Sequence, residues 1–260
     1  MKLATILLPG ETTPRAALVE AGRARPFGGP DGVREVLAGA RPVPTDASHP
    51  LTDVTLLAPI PTPDTVYAIG LNYAEHVRET GATAPAKPIV FVKTRNAITR
   101  PGGPIRTPAV TEQLDYEGEL VIVIGAGGAI GGFCIADDVS ARDLQFSENQ
   151  WTRGKGADTF CPFGPWITTV DEVPSGDDLR LRTWVNGELR QDSSTADLIF
   201  DCQSLVDFIA QTNTLAPGDL ILTGTPSGVG MGFDPPRFLA RGDRIRIAIE
   251  GLGEIEHAVA

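Results

Sequence analysis

A chain of 260 residues, 42% of them hydrophobic, can bury one large domain or a small one joined to a medium one. Its 22 basic and 33 acidic residues leave a net charge of −11, which argues against nucleic acid and anionic membranes as partners. An anionic substrate stays open, because a metal and a few placed cations reverse the field locally.

Cys134, Cys161 and Cys202 lack zinc spacing and make no disulfide framework, so reduced thiols and a cytoplasmic location are expected. The apolar run Ala4–Leu8 is too short for a signal peptide or a membrane span. Lys2–Leu8 and Arg15–Glu20 read as strands, Ala21-Gly22 as a turn and Gly32–Ala38 as a short helix. Pro42–Pro63, rich in Pro, Thr and Asp, reads as a linker that enters the main domain near Ala58. The expected organisation is therefore a small N-terminal αβ domain, 1–57, and a larger domain, 58–260. His49, beside Pro50, is expected at the surface.

Thr65–Gly70 reads as a strand. Asn72, with Glu75 three residues on, resembles a capping box at a helix start. His76 falls in the first turn and Glu79 lies three residues beyond it on the same face, where a carboxylate fixes the imidazole tautomer. A helix N-terminus keeps His76 neutral, the form a general base needs. The same spacing also describes an exposed pair on a surface helix. Gly81–Lys87 reads as a loop and Pro88–Thr94 as a strand.

The stretch Leu114–Gln145 carries most of the chemistry. Leu120–Ile124 is an unbroken β-branched and aliphatic run ending at Gly125. Strand alternation puts Glu117 and Glu119 on one face, about 7 Å apart, with Gly118 adding no side chain between them. Two carboxylates beside an apolar strand repel each other and resist burial, and a cation such as Mg2+, Mn2+ or Ca2+ resolves that conflict. Gly132–Ala136 reads as a second strand ending at Asp137-Asp138, and the following VSARDLQ as a helix start. Asp138 then either caps that helix or turns inward as a third ligand. Arg142 and Gln145, four and seven residues on, would share its helical face as a wall for an anionic substrate.

Gln150–Pro165 reads as loop throughout. Within it Lys155 lies between two glycines, so its backbone can approach a site where the ammonium stabilises negative charge. Trp166–Val170 reads as a strand. Asn186-Gly187 between Leu179–Val185 and Glu188–Arg190 is a type I′ hairpin signal. Phe200–Thr212 is a predicted helix with Leu205, Phe208 and Ile209 as its apolar face. Leu220–Leu222 opens into Thr223–Gly230, whose N–H groups and hydroxyls suit an anion, without the GK[ST] of a P-loop. Arg244–Glu250 and Glu254–Val259 form a last strand pair, with His257 expected to be structural or exposed. The class is α+β, mainly β: a folded-over mixed sheet, roll or sandwich, behind the small N-terminal αβ domain.

Six blocks stand in one order: GLNYAEHVRE at 70–79, LDYEGEL at 114–120, IADDVSARDLQ at 135–145, RGKGADTFCPFGP at 153–165, VNGELRQ at 185–191 and LTGTPSGVG at 222–230. Together they resemble the fumarylacetoacetate hydrolase family over nearly all of the chain from Ala58 onward. The resemblance implies a mixed β-roll, usually a homodimer, holding Mg2+, Mn2+ or Ca2+ through Glu117, Glu119 and Asp138. It implies that His76 and Glu79 activate water from a helix acting as a lid, with Lys155 near the metal. Arg142 and Gln145 would contact the keto-acid end of the substrate, and Thr223, Gly224 and Thr225 its carboxylate. The implied reaction is hydrolysis of a C–C bond in an acylpyruvate or related β-diketo acid, as in the catabolism of aromatic compounds. Decarboxylation of oxaloacetate and isomerisation of a hydroxymuconate-type acid are alternatives on the same metal–enolate site. The chain departs from the family pattern at Gly154, where alanine is common, at Ala157, where a bulky residue is, and at Thr94, where proline is. These changes bear on pocket shape rather than on functional groups.

Overall fold

Short β-branched and aliphatic runs, cut by turns rich in Gly and Pro, become strands throughout the chain, and the computed structural model describes residues 1–260. The N-terminal part holds β1 (Lys2–Leu7), β2 (Arg15–Glu20), β3 (Arg23–Gly28), helix α1 (Gly32–Leu37), β4 (His49–Pro50) and β5 (Thr55–Leu57). Then come β6 (Val66–Gly70), α2 (Ala74–Glu79), β7 (Ile89–Lys93), β8 (Ile98–Thr99), β9 (Leu114–Asp115), β10 (Gly118–Ile124), β11 (Ile130–Asp137) and β12 (Ser140–Ala141). Helices α3 (Arg142–Ser147) and α4 (Thr152–Lys155) precede β13 (Cys161–Thr169), β14 (Arg180–Val185) and β15 (Glu188–Ser194). Helix α5 (Cys202–Ala210), β16 (Leu220–Leu222), β17 (Arg244–Ile249) and β18 (Gly253–Ala258) complete the chain.

The main sheet runs β4-β3-β2-β1-β13-β11-β10-β16-β6-β7, with β5 paired to β1 and β8 to β13. Most neighbours are antiparallel, but β16–β6 and β13–β8 are parallel, so the sheet is mixed. A second, antiparallel sheet has the order β15-β14-β17-β18, and β9 pairs with β12 alone. Leu120 and Ile122 of β10, Leu181 of β14, Ile245 and Ile247 of β17, and Leu205 of α5 belong to one apolar core, so both sheets close over the same interior. Every residue of β10 is buried, as expected of a central strand covered on both faces. The mixed β-roll expected from the sequence is therefore the observed architecture. No helix is long and apolar enough to cross a membrane.

Several local expectations are overturned by tertiary pairing. The predicted linker at 42–63 folds back, with β4 on β3 and β5 on β1, and β1 also pairs with β13. His49 is accordingly half-buried in β4 rather than free in a loop. Asn72 does not cap a helix: α2 begins at Ala74, and Asn72 is fully buried. Its amide donates to Phe200 O at 3.0 Å and Thr223 O at 2.8 Å, and its oxygen accepts from Phe200 N at 2.8 Å. Three backbone groups of distant segments outcompete a local cap for that side chain, and Glu75 is left to pair with Arg78 at the surface.

Asp138 does not open a helix either, because Ser140 and Ala141 first pair with Asp115 and Leu114, and α3 starts only at Arg142. The segment at 150–165 is not loop throughout, since it contains α4 and the first half of β13. In α5 the buried face is Leu205, Val206 and Ile209, with Phe208 only partly covered. The hairpin signal holds: Asn186 and Gly187 have φ of 51° and 82°, and Val185 pairs with Glu188.

The two sheets meet closely at Gly118. A Cβ there would lie 2.3 Å from Thr183 Oγ1 and 3.1 Å from Ile247 Cγ2. Gly118→Ala is expected to cost about 2 kcal/mol by overpacking, read as a lowered urea midpoint. An unchanged midpoint would contradict so tight an approach of the second sheet.

Candidate functional site

Glu117 and Glu119 flank Gly118 at the entry to β10, and Asp138 follows β11. The antiparallel register pairs Gly118 with Asp137, and Asp138 N donates to Glu117 O at 2.9 Å. Carboxylate oxygens of Glu117, Glu119 and Asp138 consequently lie within 4.8 Å of one another. Their exposures are 5%, 1% and 1%. Three buried oxygen donors this close form a set suited to a hard divalent cation.

Buried cations from three other elements partly offset the cluster. Lys155 Nζ lies 2.7 Å from Glu117 Oε2 and 2.9 Å from Asp138 Oδ2. Arg142 Nη1 lies 2.6 Å from Glu117 Oε1. Lys93, fully buried at the end of β7, pairs with Asp138 and donates to Lys155 O. Glu119 accepts one bond, from Gly224 N at 2.8 Å, and has no cationic partner.

The carboxyls diverge accordingly. Burial pushes Glu117 up, but Lys155 and Arg142 outweigh it and hold this group at about 2. Burial, then the charges of Asp138 and Glu117, push Glu119 well above the usual carboxylate range. Burial would lower the Lys155 ammonium, yet Asp138 and Glu117 raise it. The donor set fits a divalent cation: one of the three carboxyls carries no counter-charge, and a metal would displace its proton.

His76 and Glu79 form a pair on α2, with Nδ1 3.0 Å from Glu79 Oε2 and side-chain exposures of 7% and 16%. This is not the exposed surface pair that the spacing also allowed. Glu79 Oε1 accepts from Gly228 N at 2.8 Å, which docks the helix on the 228–232 segment. A proton on Nδ1 shared with Glu79 leaves Nε2 as the basic nitrogen.

Of these groups, His76, Glu117, Lys155 and Arg142 line one cavity of about 230 Å³. Its polar part holds Glu117, His76, Lys155, Arg142, Gln145 and Thr225, while Phe91, Trp151, Leu71 and Phe146 contribute apolar wall. Arg142 and Gln145 share a face of α3, with Arg142 Nη1 donating to Gln145 Oε1 at 3.0 Å. Arg142 Nη2 is buried with no partner. Gly154 lets α4 close against α3, since a Cβ there would sit 2.7 Å from Gln145 N.

The turn at 223–225 is divided. Thr223 Oγ1 donates to Leu120 O at 3.1 Å, and Gly224 N serves Glu119. Thr225 Oγ1 donates to Gly118 O at 3.0 Å, and Thr225 alone of the three lines the cavity. One backbone donor expected to face an anionic substrate, Gly224 N, thus holds a carboxylate of the protein itself.

Sequence reasoning missed Lys93, Asp115 and Asp137. Lys93 was within reach, because strand alternation places it on the same face as Phe91, which lines the cavity. Asp137 Oδ1 accepts from Glu117 N at 2.8 Å, and its Oδ2 lies 2.8 Å from His257 Nε2. His257, fully buried on β18, is therefore a structural support behind the acidic cluster. Nothing local marks Asp115, whose partners other than Tyr116 N lie far along the chain.

The sequence profile of the family described as "Fumarylacetoacetate (FAA) hydrolase C-terminal" matches residues 65–260, and that described as "Rv2993c-like, N-terminal" matches residues 1–59. Protein Rv2993c of Mycobacterium tuberculosis is 48% identical over 228 residues, covering 84% of this chain and 83% of that protein. The mitochondrial oxaloacetate tautomerase FAHD2B of Bos taurus is 43% identical over 239 residues, covering 87% of this chain and 74% of that protein. The crystal structure of 2-hydroxyhepta-2,4-diene-1,7-dioate isomerase from Mycobacterium marinum matches with a TM-score of 0.83 and 40% identity, over 100% of this chain and 98% of that one.

While the Glu119 carboxyl is still protonated, Mg2+ binding is expected to release its proton. With its pKa raised, Glu119 costs the metal-free protein stability as pH rises through the folded value. Metal affinity should rise over that same window. Calorimetry in two buffers of different ionisation enthalpy checks this, and equal heats would count against it. Glu119→Gln should abolish the proton release and weaken binding by about tenfold or more.

Proposed function

This chain belongs to the fumarylacetoacetate hydrolase family, and from its site we propose a divalent-metal-dependent enzyme that moves a proton at the carbon beside the carbonyl of a 2-oxo acid, interconverting keto and enol forms. One observation carries the reading: His76, backed by Glu79, and Glu117, one of the three clustered buried carboxylates, line a single cavity. The tautomerase and isomerase names of relatives above 39% identity support proton transfer over bond cleavage.

Glu117, Glu119 and Asp138 would hold a Mg2+, Mn2+ or Ca2+ ion, which would supply the Lewis acidity that makes the C–H beside the substrate's carbonyl more acidic. The protein's own groups do the rest. Arg142 offers its unpartnered Nη2 to the carboxylate, while Gln145 and Glu117 keep the guanidinium in place. His76 takes the proton on Nε2, and the Glu79 carboxylate at Nδ1 stabilises the resulting imidazolium. The proton then passes from Nε2 to the enolate oxygen, and the reverse reaction retraces this path. The Lys155 ammonium offsets charge developing on the substrate.

The same His76–Glu79 geometry favours a second reading, hydrolysis of a C–C bond in an acylpyruvate. There Nε2 deprotonates water, which attacks the distal carbonyl.

Oxaloacetate and acylpyruvates, each with Mg2+ or Mn2+ and with EDTA, separate these readings. Proton transfer predicts faster decay of enol absorbance and deuterium at C3 in D2O, without cleavage products. Rapid release of pyruvate and an acid from an acylpyruvate would transfer the assignment to hydrolysis. Under the first reading, His76→Ala is expected to lower kcat on the order of 100- to 10,000-fold with Mg2+ affinity unchanged. A full-rate His76→Ala enzyme would remove the base from the mechanism.

A further inference from the structure

Resting on the 2-oxo acid reading above, we propose that Asp115 is a positioning residue that ties the grip of Arg142 on the substrate's carboxylate to docking of the helix that carries His76. Asp115 is fully buried at the end of β9. Its Oδ2 accepts from Arg142 Nε at 2.9 Å and from Met231 N at 3.1 Å. Its Oδ1 accepts from Gly230 N at 2.7 Å and from Tyr116 N at 2.9 Å. A single carboxylate therefore holds both the guanidinium with the free Nη2 and the short 3-10 turn Gly230–Gly232.

That turn is the platform for Glu79. A Cβ on Gly232 would lie 2.3 Å from the Glu79 carboxyl carbon, and one on Gly230 would lie 2.6 Å from Asp115 Oδ1. Both close approaches require glycine. Gly228 N, just upstream, donates to Glu79 Oε1, and Tyr116 Oη donates to Gly228 O at 2.7 Å. A carboxylate arriving on Nη2 orders Arg142. The Nε–Oδ2 bond passes that order to Asp115, the turn, Glu79 and so to His76. Such a chain of bonded groups with shared partners is what a coupling between two sites needs. The plainer alternative is that Asp115 only balances the buried charge of Arg142.

Hydrogen exchange of the amides of Ala74–Glu79 and 228–232 distinguishes the two, measured on Mg2+-loaded protein without and with saturating oxalate. Oxalate presents two adjacent carboxylates and cannot react. In the unaltered protein, oxalate is expected to slow exchange in both segments by about tenfold. Asp115→Asn should still bind oxalate, more weakly, but at saturation its protection of Ala74–Glu79 should fall below about twofold. Full protection in that variant overturns the proposal. Asp115→Ser removes the carboxylate and leaves Arg142 with its Nη2, so it should lose protection in the same way and serves if Asp115→Asn fails to fold. Tyr116→Phe loosens Gly228 without touching Arg142 and should keep the oxalate effect; an equal loss there would mean general loosening and also overturns the proposal. An unaltered protein that gives no oxalate binding heat at all sinks the 2-oxo acid reading itself, and this inference with it.

Discussion

Burying three carboxylates in one place is the constraint from which the rest of this structure follows. Alone, each would lose its hydration without return and take up a proton instead. Lys93 from β7, Lys155 from α4 and Arg142 from α3 supply charge against Glu117 and Asp138, so three separate elements are pinned by one cluster. Glu119 stays outside that compensation, with a single backbone N–H for a partner. Because Asp115 also claims Arg142, four buried carboxylates share three cations. A divalent cation is what the cluster's oxygen donors are arranged to accept.

The cluster is carried by buried central strands of the main sheet. β10 and β11 lie side by side in the middle of the main sheet, fully buried over most of their length. The second sheet packs on them at Gly118, and the His257–Asp137 pair holds the backbone of Glu117 from behind. Ligand geometry is thereby set by sheet register rather than by loops. The base has the opposite support. His76 rides on a six-residue helix whose docking depends on Glu79 meeting Gly228 and Gly232. The acidic centre is thus fixed by the main sheet, and the base by a few contacts from one short helix.

The amino-acid sequence by itself determined the strands with clear alternation or unbroken apolar runs, the Asn186-Gly187 hairpin and the mainly β class. It also determined that Glu117 and Glu119 share a face, because period-two geometry is local and needs no partner. His76 and Glu79 were legible as a pair for the same reason, through helical spacing. Only the tertiary structure decided where long-range partners lie. Asn72 abandoned its local cap for Phe200 and Thr223, 42–63 added strands to the main sheet, and the Gly224 N–H turned to Glu119. Lys93, Asp115 and Asp137 acquired their roles from residues 20 to 120 positions away. A buried polar group takes whichever partner the packed interior brings within reach, and that choice is made by the fold as a whole rather than by the residues beside it.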